Sequence, residues 1–292
     1  MKSFLPRVLA LVLLATAAAS AREGDAFVVV RPVVNLHSAP REDADVVTQA
    51  LLSERVVEQA REGGWVRVRC EDAYPGWIPA AALRALGPGE RYPAAPERAV
   101  AVDALAANLY QEPDVTRHAP VLTAPYGVRL ERVQGGRDTE RWTEVRLPDR
   151  RTAWVQAGDL RAGAALLDLE ASLALAHRFL GVTYTWGGSS SFGFDCSGFT
   201  QTVVRSRGPL MPRDAHLQAA WPGVAPVADR ASLQRGDLLF FGKDAAHITH
   251  VGIYLGRDQF IHDTPRGRPG VQVSSLQEAA WSTLLVAMRR VK

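Results

Sequence analysis

The chain has 292 residues, 47% of them apolar and 22% charged, with a formal net charge of +3. That length and balance fit two or three small folded domains and exclude a disordered chain. Two of the cations, Lys2 and Arg7, belong to the first few residues, so the rest is close to neutral; no aromatic-basic stripe marks a nucleic-acid groove.

Lys2 and Arg7 flank the start of an apolar run, Val8 to Ala15, that passes through small residues to Ala19-Ser20-Ala21. This is the pattern of a secretory signal peptide cut after Ala21, with a core too short to span a bilayer. It carries no cysteine for lipid attachment. The expectation is an exported protein, periplasmic or extracellular, without stable membrane insertion.

Residues 27–86 and 95–162 repeat each other. Val34-Asn35-Leu36-His37 corresponds to Ala107-Asn108-Leu109-Tyr110. Gly64-Trp65-Val66-Arg67-Val68-Arg69 corresponds to Arg141-Trp142-Thr143-Glu144-Val145-Arg146, and Gly76-Trp77-Ile78 to Ala153-Trp154-Val155. The tryptophans keep one spacing in both copies, which points to a duplicated module. Short alternating runs broken by Pro, Gly and Asp predict a small β-barrel in each copy. Gly87-Pro88-Gly89 to Pro93 is the linker. His37 and His118 have no evident partner and read as surface residues.

From residue 167 the pattern changes. Leu166, Leu169, Leu173 and Ala176 share a helical face, with His177 as a cation near its end. Next comes Tyr184-Thr185-Trp186-Gly187-Gly188, then Phe192-Gly193-Phe194-Asp195-Cys196-Ser197-Gly198-Phe199. A cysteine after a glycine-rich loop, with Phe199 and Val203 spaced four apart behind it, predicts a thiol on the first turn of a helix. The free N–H groups and positive dipole there favour a thiolate. Further on, Asp214 and His216 read as a helix cap and a solvated side chain. Gly236-Asp237-Leu238-Leu239-Phe240-Phe241-Gly242 is a central strand, and Leu284 to Arg290 closes the sheet.

A nucleophile needs a base, and the base needs a group that orients it. His250-Val251-Gly252-Ile253-Tyr254-Leu255 alternates, with His250 on the face opposite Val251. Gln259-Phe260-Ile261-His262 is the returning strand. An odd number of residues in the loop puts His262 on the face of His250 and diagonal to it. These residues propose acyl transfer, with Cys196 attacking, His250 moving protons and His262 orienting His250; Asp258 and Asp263 are rivals for the third role. His247, three residues upstream, points to the opposite face. Cys196, His250 and His262 also suit zinc, but one thiolate without paired spacing argues against a metal. Cys70 lies near a strand end; a bridge to Cys196 would leave the histidine pair unexplained.

Residues 167–292 resemble the NlpC family of cell-wall cysteine peptidases. The matching stretches are Tyr184-Thr185-Trp186-Gly187-Gly188, Asp195-Cys196-Ser197-Gly198, Pro212-Arg213-Asp214, Gly236 to Phe241 and His250 to Gly256. The two repeats resemble bacterial SH3-like domains, the second less closely, since Arg141 and Ala153 replace its glycines. The resemblance implies an α+β papain-like (NlpC-type) catalytic domain behind two SH3-like β-barrels. It implies a γ-D-glutamyl-L-diamino acid endopeptidase acting on peptidoglycan stem peptides or murein fragments, with no cofactor.

By the same resemblance Cys196 is the nucleophile, His250 the base and His262 its orienting partner. Tyr184 steadies the oxyanion or substrate, and Asp195, Ser197 and Asp214 bind substrate. Glu54 and Tyr74 of the first barrel match a glutamate and a tyrosine that select a free N-terminal L-Ala. A Glu54 carboxylate paired with that ammonium would favour released fragments. Other readings are an endopeptidase on intact murein, a non-catalytic wall-binding protein, and a thiol acyltransferase or amidase of related fold.

Overall fold

Alternating apolar residues in the first repeat build a seven-stranded barrel. The computed structural model describes residues 25–162 and 165–292, so the expected signal peptide lies outside the described residues. The strands are β1 (Ala26–Val29), β2 (Val33–His37), β3 (Val46–Leu51), β4 (Arg55–Glu62), β5 (Trp65–Arg69), β6 (Pro75–Pro79) and β7 (Leu83–Ala85). In β5, Val66 and Val68 are fully buried while Arg67 and Arg69 face solvent, as period-two alternation requires. They join Leu36, Ala50, Val56 and Ile78 in the core. Cys70 is buried there too; both it and Cys196 are free thiols.

The second repeat folds as β8 (Ala99–Val102), β9 (Ala106–Tyr110), β10 (Leu122–Pro125), β11 (Arg129–Arg132), β12 (Trp142–Arg146), β13 (Thr152–Gln156) and β14 (Leu160–Ala162). The first sheet has the order β3-β2-β6-β5-β4-β1-β7, the second β10-β9-β13-β12-β11-β8-β14, so the copies agree strand for strand. His37 is a correction to the sequence reading. It is buried, its Nδ1 lies 2.9 Å from the Ala44 carbonyl, and its ring meets Trp65 edge-on at 5.4 Å. Tyr110, its counterpart, meets Trp142 edge-on at 5.7 Å. One structural contact is preserved with different chemistry, which is why His37 looked unpartnered in the sequence. His118 is exposed and lies 3.2 Å from Glu112.

The third domain begins with α1 (Leu169–Arg178), capped by Asp168, whose carboxylate accepts the Ala171 N–H at 2.8 Å. A short hairpin, β15 (Ser189–Ser190) and β16 (Gly193–Phe194), leads into α2 (Cys196–Arg205), then α3 (Ala215–Ala220). The strands β17 (Val224–Pro226), β18 (Leu238–Gly242), β19 (Ile248–Gly256), β20 (Gln259–Thr264), β21 (Gly270–Ser275) and β22 (Leu285–Val291), with α4 (Ala279–Ser282) before the last, complete it. The sheet order is β17-β22-β18-β19-β20-β21, antiparallel in every described pairing. All five residues of β18 are buried, as a central strand between two packed faces must be. Phe199 and Val203 of α2 pack with Phe240, Val251, Ile253 and Ile261 on one face; Trp281 of α4 packs with Phe241, Tyr254 and Phe260 on the other.

Both barrels grip the loop before α2. From the first, Gln49 Oε1 accepts the Ser189 N–H at 3.1 Å and the Gln49 carbonyl accepts Ser189 Oγ–H at 3.2 Å. From the second, Tyr126 donates its N–H to Ser191 Oγ at 2.9 Å and packs edge-on against Phe179 at 5.5 Å. The hairpin that delivers Cys196 is thereby held from outside its own domain. This is the α+β papain-like domain behind SH3-like barrels that the sequence implied.

Candidate active site

Cys196 is the first residue of α2, and Asp195 is its cap: Asp195 Oδ1 accepts the Gly198 N–H at 2.8 Å and the Ser197 hydroxyl at 3.0 Å. Gly198 is needed for closeness, since a Cβ there would lie 2.1 Å from the Gly188 carbonyl oxygen. The helix start therefore rests directly on the glycine-rich loop. Arg213, 1% exposed, closes the arrangement from behind. Its Nη1 and Nη2 reach Asp195 Oδ1 and Oδ2 at 2.9 and 2.6 Å, and its Nε donates to Thr48 of the first barrel at 2.9 Å. Gln218 of α3 completes the shell by donating to the Ser197 carbonyl at 3.0 Å.

His250, the candidate base, arrives from the sheet. Tyr254 N–H donates to the Asp237 carbonyl on the β18 side, so by alternation the Val251 N–H points toward the β20 side. Between β19 and β20 the ladder runs only from Ile253↔Ile261 to Gly256↔Gln259. The first half of β19 is paired with β18 alone, and the Val251 N–H turns to the Cys196 sulfur instead. Cys196 thus sits in the opening between two strands, beside the residue that follows His250.

His250 and His262 meet across that opening. His250 Nε2 lies 2.7 Å from His262 Nδ1, and His262 Nε2 lies 3.1 Å from Ser274 Oγ on β21. Their shared face has a specific origin. The turn residues Arg257 and Asp258, both at positive φ, form a two-residue loop, which alone would place His262 on the face of Val251. A bulge between Tyr254 and Gly256 adds the unpaired Leu255 and restores the match. The sequence condition of an odd count is met by the bulge and not by the turn.

Trp281, which sequence reading missed, roofs the pair. Its ring stacks on His250 at 5.3 Å and 27° and meets His262 edge-on at 4.7 Å. It comes from a four-residue helix with no motif around it, so only folding reveals its place. Arg213 and Ser274 were also given no role; Arg213 was visible only as the middle of Pro212-Arg213-Asp214. His247 is excluded as the base: it is exposed and its Nδ1 lies 2.8 Å from Asp244.

Electrostatics revise one expectation. Burial pushes the Cys196 thiol up to about 12, with the Asp195 charge acting the same way, and outweighs the Val251 and Ser197 N–H groups that favour thiolate. Burial also pulls His250 down to about 4, helped by the Arg266 charge. His262 is lowered as well, by burial first and then by His250. Burial thus acts on both groups against a resting thiolate–imidazolium pair.

Tyr184 is half-buried beside the thiol, its phenol pushed up by burial and by Cys196, Asp195 and Asp263. Tyr74 of the first barrel donates its hydroxyl to Asp214 Oδ2 at 2.8 Å. Cys196, His250, His262, Tyr184, Asp195, Ser197, Asp214 and Tyr74 thus gather in one region. Glu54 does not join them. It lines a cavity of about 410 Å3 where the three domains meet, with Cys70, Asp72, Gln201 and Arg205 on the same walls. Its carboxylate accepts the Leu51 N–H at 3.1 Å, and burial lifts it to about 7. The turn it sits in faces the far end of α2, a direction its sequence spacing does not disclose.

Asp263, the rival orienting residue, is fully buried with neither carboxylate oxygen hydrogen-bonded. Strand alternation turns it away from His250. Asp258 pairs instead with Arg230 at 2.8 Å. Among the described residues no group of His, Cys, Asp and Glu is arranged to hold a metal ion.

Residues 181–290 match the NlpC/P60 family, and residues 36–83 match the bacterial dipeptidyl-peptidase SH3 domain. The chain is 34% identical over 258 residues to the γ-D-glutamyl-L-lysine dipeptidyl-peptidase of Bacillus cereus, spanning 83% of this chain and 74% of that protein. The chain belongs to the NlpC/P60 family. A Bacillus subtilis protein of the same name is 30% identical over 85% of this chain and 82% of its own length. The crystal structure of an NlpC/P60 family protein from Bacillus cereus superposes with a TM-score of 0.78 at 26% identity, covering 91% of this chain and 99% of that one. This NlpC/P60 chain is therefore a peptidase, and the cluster around Cys196 is its candidate catalytic centre.

Proposed function

We propose that this peptidase is an exported cysteine endopeptidase that hydrolyses the γ-D-glutamyl–L-diamino acid bond of peptidoglycan stem peptides, preferring fragments with a free N-terminal L-Ala. Two relatives aligned over 83% and 85% of this chain carry the γ-D-glutamyl-L-lysine dipeptidyl-peptidase name. The observation that carries the preference is the Tyr74–Asp214 bond. It ties the first barrel to the residue after Arg213, whose guanidinium holds Asp195 beside Cys196, and so supports a first-barrel contribution to substrate binding. Asp214 is then the carboxylate that receives the L-Ala ammonium, a role sequence reading gave to Glu54.

The chemistry follows from the proton positions. His250 needs an unprotonated nitrogen toward the thiol, so Nε2 carries its proton and donates to His262 Nδ1, while His262 Nε2–H donates to Ser274 Oγ. His250 Nδ1 then takes the Cys196 proton as sulfur attacks the γ-carbonyl carbon. The oxyanion that forms is met by backbone N–H groups at the start of α2 and by the Tyr184 hydroxyl. The imidazolium returns its proton to the departing diamino acid nitrogen as the C–N bond breaks, leaving a thioester. Water, deprotonated by His250, releases the L-Ala-γ-D-Glu acid and restores the thiol.

The test compares L-Ala-γ-D-Glu-diaminopimelate with its N-acetylated form, using wild type, Cys196→Ala and Tyr74→Phe. The reading expects cleavage of the free peptide alone, no turnover by Cys196→Ala, and a rise in KM of about tenfold for Tyr74→Phe. Equal cleavage of both peptides by wild type would move the substrate to intact murein.

A further inference from the structure

The group that protonates a leaving nitrogen must stand on the leaving side of the scissile bond. The surroundings of His250 are thus the surroundings of the diamino acid. From β18 Phe241 faces it, from β20 His262, from α4 Trp281, and from the start of α2 the Asp195 charge, itself held by Arg213. The remaining charge is Arg266. It lies in the exposed loop 265–269, which carries Arg266 and Arg268 and no acid. The Arg266 guanidinium stands 5.5 Å from the Trp281 ring centroid, on the same indole that stacks against His250. Its main chain is tied to Thr264 Oγ1 at 3.3 Å and Gln272 Nε2 at 3.4 Å, yet the guanidinium has no ion-pair partner among the described residues.

A fixed cation beside a base opposes the imidazolium on which catalysis depends. Asp195 offsets it only in part, and the nearest acid on the same hairpin, Asp263, is buried and faces the other side of the sheet. We infer that Arg266 is a specificity residue that binds a carboxylate of the residue leaving the γ-glutamyl bond. The inference rests on the proposed substrate class and deepens it. The carboxylate is either the α-carboxylate of a C-terminal diamino acid or the side-chain carboxylate that diaminopimelate has and lysine lacks. On binding, it neutralises Arg266 and relieves the part of the His250 depression that this charge adds to burial. The substrate thereby raises the basicity of the group that will act on it, and a lysine side-chain ammonium meets repulsion at the same place.

The experiment uses four peptides, L-Ala-γ-D-Glu-L-Lys and L-Ala-γ-D-Glu-diaminopimelate, each as free α-acid and α-amide, with wild type, Arg266→Gln and Arg266→Lys. Preference for diaminopimelate over lysine in both forms assigns the side-chain carboxylate; preference for acid over amide in both assigns the α-carboxylate. In either case Arg266→Gln should bring that preference, about tenfold in kcat/KM, close to one, and Arg266→Lys should retain part of it. Arg266→Gln losing activity equally on all four peptides, or changing none, overturns the inference. Binding of the same peptides to Cys196→Ala, followed by tryptophan fluorescence, separates this from the cleavage reading. If wild type cuts none of them, the substrate class fails, while the carboxylate preference in binding still stands or falls with Arg266→Gln.

Discussion

Arg213 holds Asp195 by both carboxylate oxygens, at 2.9 and 2.6 Å, in a pair from which solvent is almost wholly excluded. Removing one member leaves the other charge buried alone. Arg213→Met should cost about 3–5 kcal/mol in chemical denaturation. Arg213→Lys, which keeps the charge but not the fork, should retain more stability yet lower kcat, because Asp195 sets the first turn that aims the thiol.

Gly252 stands where a Cβ would come within 2.8 Å of the Phe260 ring and 3.1 Å of His262 Cβ. Gly252→Ala should push His262 away from His250. Stability should fall by about 1–3 kcal/mol, and kcat by about a hundredfold with KM little affected. Thermal melts and steady-state kinetics give the two numbers.

Activity should persist to lower pH than an ordinary histidine allows. With His250 at about 4, the rate should hold down to that region and then fall as the imidazole protonates. Arg266→Gln should move this acid limb upward toward the usual histidine range, since the Arg266 charge contributes to the depression. The pH dependence of kcat/KM on a neutral-leaving peptide reads the shift.

Asp263 carries the opposite pH signature in stability. Burial, aided by Asp195, raises it to about 8, so the folded protein keeps it protonated after the unfolded chain has lost that proton. Its favourable contribution is complete below about 3.8 and disappears as pH rises toward 8. His250 acts in the reverse sense, its contribution being present above about 6.5 and lost as pH falls toward 4. Asp263→Asn should therefore gain stability relative to wild type between pH 4 and 8, measured by denaturant unfolding across that range.

The sequence disclosed what depends on local pattern. The tandem barrels appear in the paired tryptophans, the helix that begins at Cys196 in Asp195 to Val203, and the strand of His250 in His250 to Leu255. It also named Tyr74 and Asp214, though not that they would bond to each other. Glu54 was misplaced because spacing along a turn does not say which domain the turn will face. Trp281 was invisible because its importance comes from stacking on residues about twenty and thirty positions away, with no periodicity to mark it. The thiolate expected at Cys196 failed for a related reason: a helix N-terminus is local, whereas the burial that outweighs it is assembled from the whole domain.

The unpaired Leu255 also governs which changes of length this hairpin can survive. One residue added to or taken from the turn at Arg257-Asp258 would swing His262 to the opposite side of the sheet and leave His250 without its partner. A two-residue change would preserve the meeting. Natural variation between the two histidines is thus filtered by parity before it is filtered by chemistry, and a homologue whose interval differs by one must carry a compensating bulge or a different third residue.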